Sequence, residues 1–460
     1  MKIDRFEIPG LAQYSYVVSS EGEAIVVDPI RDVDRYLEYS SQWNLKITHV
    51  VETHIHADFA SGATALVAAT GAELAVSGYD NGQHYQYSMP HRALRDGDFI
   101  DIGTVRTRPL HTPGHTPEHL SLVVFDRDRS ESVPVALLSG DFLFVGSLGR
   151  PDLLGEGEKE GLARELYRSL HDRIASLPDG VELYPGHGAG SLCGAGMSER
   201  GESTLGYERA TNPLFALSEQ SFVAKILGTV PPMPDYYPRM KELNAKGAPI
   251  LKEIPGAKAL TVPDIKALLP NNQITVLDLR RPEAFGGAHI DGSVNIGAGQ
   301  NLSLWAGWLL DPRKPIILIA DKGDDESSRR SLVRVGLDNI AGFLTKGMPG
   351  WIDAGEAFSR ITQLSTNEVE MGSGTGLVLD VRSDEEWGNG HIEGAQHIML
   401  GDLIKQLASL PRDRTITTVC GSGYRSSIAA SLLRQSGFAQ TSSMDGGMSA
   451  WNHQKLPTTP

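Results

Sequence analysis

Cysteine is nearly missing from this 460-residue chain: Cys193 and Cys420 are its only two. Two thiols so far apart do not make a disulfide framework, so a reducing cytoplasm is the expected setting. Long apolar runs are missing as well. No stretch approaches the length that spans a bilayer. The N-terminal MKIDRFEIPG sets charges on either side of its few apolar residues, so neither a signal peptide nor a transit peptide is expected. Positive charge is in deficit, with 42 Lys and Arg against 57 Asp and Glu and a formal net charge of −15. That balance argues against nucleic acid or a membrane surface as a partner and favours a small molecule. Biased tracts are also lacking; with 40% hydrophobic and 22% charged residues the composition is globular. The length exceeds one ordinary core and suggests about three domains.

The C-terminal half repeats itself. VLDLRRPEAFGGAHIDGSVNI from Val276 returns as VLDVRSDEEWGNGHIEGAQHI from Val378, and TKGMPGW ending at Trp351 returns as DGGMSAW ending at Trp451. Each copy alternates apolar strands with helical segments, the pattern of a parallel α/β sheet. In the N-terminal half, the apolar strands EAIVVDP, ITHVVETH, VALLSGDFLF and VELYPGHG each run straight into a loop rich in His, Asp and Gly. Helical periodicity appears in GLARELYRSLHDRIASL. The proline-dense TVPPMPDYYPRM, Thr229 to Met240, is expected to stop any helix and to close this domain or begin a linker. The expected division is 1–255, 256–360 and 361–460, with the first boundary near Gly256.

Four loops carry candidate chemistry: THIHADF, HTPGHTPEH, LLSGDFLF and YPGHGAG. A lone histidine in a strand-end loop is ordinarily a hydrogen-bonded structural residue, because a ligand needs convergent partners. Four such loops in one chain reverse that reading for His54, His115 and Asp141. Neutral imidazoles with a carboxylate are the ligand set for zinc or iron. His111 and His119 read as orienting hydrogen-bond partners, and His84 and His91 as surface residues. Arg150 reads first as half of a buried pair with Asp152 that pins a loop, and second as a contact for an anionic substrate. Cys193 reads equally as a small buried hydrophobe and as a sulfur-handling thiol.

These loops, in this order, resemble those of the metallo-β-lactamase superfamily. The resemblance implies an αββα sandwich over most of the first 250 residues. In its two-metal members one metal uses the equivalents of His54, His56 and His115, with Asp141 bridging. The other uses Asp58, the imidazole after it, Asp141 and His187. Here Phe59 occupies the place of that imidazole, so the second site is short of a ligand. The closer resemblance is to the persulfide dioxygenases. It implies one Fe(II) per chain on His54, His115 and Asp141, with His56, Asp58, Arg150, His187 and Cys193 around the metal or the substrate pocket.

In CGSGYRSS, Cys420 opens a Gly- and Ser-rich loop that runs into a helix. Backbone N–H groups from Gly421, Ser422, Gly423 and Tyr424, with the helix N-terminus, make an anion cradle that favours a thiolate. The loop and its flanks resemble the rhodanese family of sulfurtransferases. That resemblance implies that Cys420 carries sulfane sulfur as a persulfide beside Arg425. The upstream copy reads Asp321 in the cysteine's place, in IADKGDDESS, and is expected to be a silent rhodanese domain kept for packing or for orienting its neighbours.

The expected fold is therefore an αββα sandwich followed by two α/β rhodanese domains. The expected activity is oxidation of a low-molecular-weight thiol persulfide by O2, with sulfite or thiosulfate as product or co-substrate, in a homo-oligomer. The alternative is a glyoxalase II-like zinc thioester hydrolase fused to a thiosulfate sulfurtransferase. A third reading is a sulfur-binding scaffold without turnover.

Overall fold

The computed structural model describes all residues except 270–272, 322, 324, 373 and 375. The chain divides into two compact units, Met1–Lys252 with Val333–Gly336, and Glu253–Leu332 with Leu337–Pro460. No helix among the described residues is long and apolar enough to cross a membrane.

The first unit holds two six-stranded sheets. One runs, in spatial order, Lys2–Ile8, Gln13–Ser20, Glu23–Val27, Lys46–Val51, Glu73–Ser77 and Arg92–Leu94. The other runs Ser203–Thr204, Glu182–Pro185, Ala136–Gly140, Leu120–Asp126, Val105–His111 and Ile100–Ile102. Alternation along the strands sets the layers. Leu120, Leu122 and Val124 face Tyr16, Val18, Ile25 and Val27 in one core, while Val123 and Phe125 join a second core with Ala163, Leu166 and Phe222. Those last three belong to helices Lys159–Arg168 and Glu219–Gly228, which cover the second sheet. Helices Asp34–Gln42 and Ala63–Thr70 lie on the first sheet, where Tyr36 shares a 2.6 Å hydrogen bond with Ser15 and the second helix contacts Lys46–Val51. This is the αββα sandwich.

Parallel pairing decides what meets at the rim. Glu23–Val27 pairs in parallel with Lys46–Val51, so the residues that follow, Asp28 and Glu52–His54, emerge side by side. Ala136–Gly140 likewise runs parallel to Glu182–Pro185, which delivers Asp141 beside His187. Ligand-binding residues at the carboxyl ends of parallel strands are a general property of such sheets.

The stretch expected to end the domain instead starts a helix, Tyr237–Lys246. Pro238 stands in its first turn, where the missing N–H costs nothing and the fixed φ suits the helix.

The second unit contains two five-stranded sheets of the same spatial order: Ala259–Leu260, Ile340–Leu344, Ile316–Ile319, Thr275–Asp278, Val294–Asn295, and Thr362–Leu364, Thr441–Met444, Ile416–Val419, Leu377–Asp380, Gln396–His397. All pairings in both are parallel. Both copies keep a buried Asp-x-Arg ion pair at the strand end, Asp278–Arg280 at 2.6 Å and Asp380–Arg382 at 2.7 Å. They also keep a buried tryptophan, Trp351 and Trp451, in the last helix.

The shared register corrects one reading. Ile316–Ile319 pairs with Thr275–Asp278 just as Ile416–Val419 pairs with Leu377–Asp380. The residue after the strand is therefore Ala320, and Ala320, not Asp321, stands where Cys420 does. The packing agrees: a Cβ on Gly347 would collide with the Ala320 carbonyl as one on Gly447 would with the Cys420 carbonyl. A methyl group cannot carry sulfur, so the copy lacks its nucleophile through an alanine. Of the acidic run expected there, Asp324 lies outside the described residues, and Asp321 is exposed.

Candidate metal centre and cysteine loop

Three buried atoms without hydrogen-bond partners converge at the sandwich rim: His54 Nε2, His115 Nε2 and Asp141 Oδ2. The carboxylate oxygen lies 3.9 Å from the first nitrogen and 3.5 Å from the second. Leaving a buried polar atom unpaired costs roughly 1–3 kcal/mol each, and a cation would satisfy all three at once. Two neutral imidazoles and a carboxylate fit zinc or iron. This is a metal-binding site.

The other nitrogen of each ring fixes the tautomer. The Thr53 hydroxyl donates to Asp28 Oδ2 at 2.8 Å, so it accepts from His54 Nδ1 at 2.9 Å and leaves Nε2 as a lone pair. His115 Nδ1 donates to the Arg150 carbonyl at 2.9 Å, with the same result. Burial, reinforced by neighbouring His56 and His115, drives His54 well below its usual pKa. Burial and the nearby His119 do the same to His115. Both rings are neutral, the form that binds a metal.

Asp141 is aimed by His119. Its backbone N–H donates 3.0 Å to His119 Nε2, and His119 Nδ1 donates to the Thr112 hydroxyl at 2.9 Å. Burial lowers the His119 pKa to about 3, which keeps it an acceptor. Two glycines permit this closeness: a Cβ on Gly140, whose φ is +52°, would sit 2.7 Å from His119 Nε2, and one on Gly186 would sit 2.5 Å from Asp141 Oδ1.

The residues beside the triad form their own network. His187 donates to Asp141 Oδ1 at 2.8 Å and to Asp58 Oδ2 at 2.9 Å. Burial alone would depress it, but the Asp141 and Asp58 carboxylates outweigh that and hold it well above its ordinary range. His56 Nε2 turns to Asp28 Oδ1 at 3.1 Å and Glu52 Oε2 at 3.3 Å. Phe59 is fully buried with its ring 4.4 Å from that of His56. Cys193 is buried with Asp58 and His187, their donor atoms within 4.8 Å of one another. Cys193 thus adds a sulfur donor beside Asp58 and His187, while Phe59 supplies none. Burial, then Asp58 and Asp141, push the Cys193 thiol well up, so it is protonated and a poor nucleophile. Arg150 is engaged as a pin: bidentate to Asp152 at 2.7 and 2.8 Å, with a further bond to the Leu192 carbonyl at 3.0 Å. His111 stacks on Tyr79 at 3.8 Å, and His84 and His91 belong to no metal-competent cluster among the described residues.

Sequence reasoning overlooked several supports. Asp28 accepts from Thr53 and His56 from a position of φ +51°, a strained backbone for a non-glycine residue that often marks a functional site. Asn244 donates to the His56 and Phe59 carbonyls and accepts from the Ser61 N–H, while Tyr236 bonds the Asp58 carbonyl and Lys241 that of Ile55. The available signal was spacing: Lys241 and Asn244 fall at helical intervals with Tyr237, Met240 and Ala245, on the face that is buried.

In the second unit the Cys420 Sγ is fully buried; it accepts the Gly423 N–H at 3.1 Å and donates to the Ser426 hydroxyl oxygen at 3.6 Å. Gly423 adopts φ +103° to turn that N–H inward. The GGM turn closes the loop from behind, Met448 N donating to the Cys420 carbonyl at 2.7 Å and Ser449 N to that of Gly421 at 2.8 Å. Ser422 is exposed. Tyr424 opens helix Tyr424–Gln435 and donates to the Gly297 carbonyl of the silent copy at 2.8 Å, and Ser427 donates to Asn295 Oδ1 at 2.6 Å. The Arg425 guanidinium does not bond the thiol; it is held bidentate by Glu386 at 2.6 Å to each oxygen.

A solved metallo-beta-lactamase from Staphylococcus aureus is 35% identical and covers 75% of this chain and 98% of its own, with a TM-score of 0.67. The chain belongs to the metallo-beta-lactamase superfamily. The model of that superfamily matches residues 8–187, and that of the rhodanese-like domain matches 261–354 and 365–454. The superfamily domain is therefore followed by tandem rhodanese domains. A hydroxyacylglutathione hydrolase from Polaromonas sp. is 29% identical over 247 residues, 48% of this chain and 88% of the relative. The mitochondrial persulfide dioxygenase of Bos taurus is 28% identical over 219 residues, 47% of this chain and 76% of the relative.

Proposed function

We propose that this chain is a persulfide dioxygenase with one non-haem iron, coupled to sulfur transfer at Cys420. The overall reaction turns a low-molecular-weight thiol persulfide, O2 and water into the thiol, sulfite and two protons. The observation that supports it best is the convergence of His54 Nε2, His115 Nε2 and Asp141 Oδ2, two imidazoles and one carboxylate on one face. Iron held there supplies the redox chemistry for adding O2 to sulfur. The chain's own residues do the rest. Thr53 and the Arg150 carbonyl keep both lone pairs aimed inward, and His187 occupies Asp141 Oδ1 so that Oδ2 alone faces the triad. Phe59 adds an apolar wall where other members of the superfamily place an imidazole.

Cys420 then moves sulfane sulfur. Its thiolate takes the outer sulfur of a persulfide and the carrier thiolate leaves; sulfite attacks that sulfur, thiosulfate forms, and the electron pair of the broken S–S bond returns to Cys420. The setting is a reducing cytoplasm, and the species exchanged are the thiol persulfide, O2, sulfite and thiosulfate.

Metal analysis after anaerobic purification, with an oxygen electrode and glutathione persulfide, tests the reading. About one iron per chain and O2 uptake are expected. Two zinc ions and no O2 uptake would refute it. The Asp58, His187 and Cys193 donors favour that second reading, a zinc thioester hydrolase with a thiosulfate sulfurtransferase attached. Cys420→Ser should abolish thiosulfate:cyanide sulfur transfer; unchanged transfer would exclude the carrier role.

A further inference from the structure

Glu386 has two jobs that its position alone explains. Its Oε2 accepts from the Ser383 N–H and hydroxyl, both at 3.1 Å, in a capping box at the start of helix Asp384–Gly388. Both of its oxygens also grip Arg425 at 2.6 Å. The pair lies against the first residue of the cysteine loop: a Cβ on Gly421 would stand 3.1 Å from Arg425 Nη2 and 3.4 Å from Glu386 Oε1. The guanidinium beside the thiol is therefore neutralised.

The silent copy acts as an internal control. It keeps what holds the fold: the Asp-x-Arg pair, the turn glycine Gly347 opposite Gly447, and the buried tryptophan. Three residues change together. Ala320 stands for Cys420, Asp325 five residues later stands for Arg425, and Ala284, six residues after Asp278, stands for Glu386, six after Asp380. A helix start there does not need the glutamate, since Pro282 begins the helix in the silent copy. Glu386 thus travels with the thiol and the guanidinium and not with the fold.

We propose that Glu386 is a positioning and specificity-determining residue of the cysteine loop. It clamps Arg425 and cancels its charge, so that the cradle holds a singly charged persulfide and readily releases doubly charged thiosulfate. The proposal rests on the sulfur-transfer reading for its direction, which becomes formation and release of thiosulfate and not its consumption.

The test uses the full-length protein and Glu386→Gln, which retains a side chain able to cap the helix but removes the charge. Iodoacetate and iodoacetamide are nearly the same size and reach Cys420 by the same path, so the ratio of their alkylation rates at the Cys420 peptide reads local charge. With the Arg425 and Glu386 side chains 23% and 38% exposed, the ratio is expected to rise about three- to tenfold in Glu386→Gln. The KM for thiosulfate with cyanide should fall by a similar factor while kcat changes less. Glu386→Asp, which keeps the charge, should restore the wild-type ratio, and adding Arg425→Gln to Glu386→Gln should abolish the rise. An unchanged or lower ratio in Glu386→Gln, or a rise that survives Arg425→Gln, would overturn the proposal. If the wild-type protein transfers no sulfur from glutathione persulfide to sulfite, the sulfur-transfer reading fails by itself, and the alkylation ratio still decides the role of Glu386.

Discussion

Thr53→Val probes how the metal site is set up. The two side chains are nearly isosteric, and Thr53 is fully buried, so the change removes a hydroxyl and leaves no cavity. That hydroxyl accepts from His54 Nδ1 at 2.9 Å and donates to Asp28 Oδ2 at 2.8 Å. Without it the Nδ1–H has no acceptor, and the neutral ring can move its proton to Nε2, the atom that must be bare to bind a metal. Loss of such a partner behind a metal-binding histidine typically costs about 10- to 100-fold in affinity, equivalent to about 1.4–2.7 kcal/mol. The metal-free protein should also lose roughly 1–3 kcal/mol, for the buried donor left unsatisfied.

Anaerobic competition against a chelator measures the affinity, and urea unfolding of the metal-free protein measures the stability. Thr53→Ser keeps the hydroxyl and should bind like the wild type. If Thr53→Val is folded and binds metal within about twofold of the wild type, the relay from Asp28 through Thr53 to His54 does not set the tautomer.

Other substitutions address other supports. Asn244→Ala strips three hydrogen bonds from the buried loop of His56, Phe59 and Ser61 and should cost roughly 3 kcal/mol or more by urea unfolding; a loss below about 1 kcal/mol would mean the helix does not brace that loop. Phe59→His, loaded with zinc, should bind a second metal beside Asp58, His187 and Cys193; metal analysis returning one ion per chain would show that more than this ring excludes it. Glu386 gives a pH signature. Burial raises its pKa, but Arg425 outweighs that and brings it down from 4.5 to about 2. Its contribution to stability is complete above the unfolded value and is lost as pH falls toward about 2. The acid limb of unfolding over that window should therefore be shallower in Glu386→Gln, and an unchanged limb would refute the linkage.

The four metal loops were legible because each ligand sits in a short motif at a strand end, where neighbours in sequence are neighbours in space. The repeat made the tandem sheets legible for the same reason: both copies carry the same signals at the same intervals. Asp28 was not legible as a support for His54. The two are 26 residues apart and meet only because the strands before them pair in parallel, which no local pattern displays. Asn244 and Lys241 lay beyond a proline-rich stretch that reads as a stop. Pro238 opens the helix instead of ending one, a distinction that depends on which residue takes the first turn. The misplacement of Asp321 had a similar origin. Motif comparison matched loop to loop, whereas strand register fixes the residue that leaves the sheet, and that residue is Ala320.

Histidine content alone could not separate ligands from supports, because five buried imidazoles crowd this rim. Where each ring's other nitrogen goes does separate them. His187 spends both nitrogens on carboxylates, and His119 spends one on Thr112 and the other on the Asp141 N–H. His56 keeps Nδ1 unpaired, but its Nε2 is tied to Asp28 and Glu52, away from the triad's shared centre. Only His54 and His115 send one nitrogen outward as a donor and leave the other bare toward the unpaired Asp141 oxygen. The first of those outward bonds passes through Thr53 to Asp28, and the second ends on a carbonyl of the loop that Arg150 pins. The triad's readiness for a metal is therefore written in hydrogen-bond directions set by Asp28 and Arg150. Neither of these residues belongs to the triad itself.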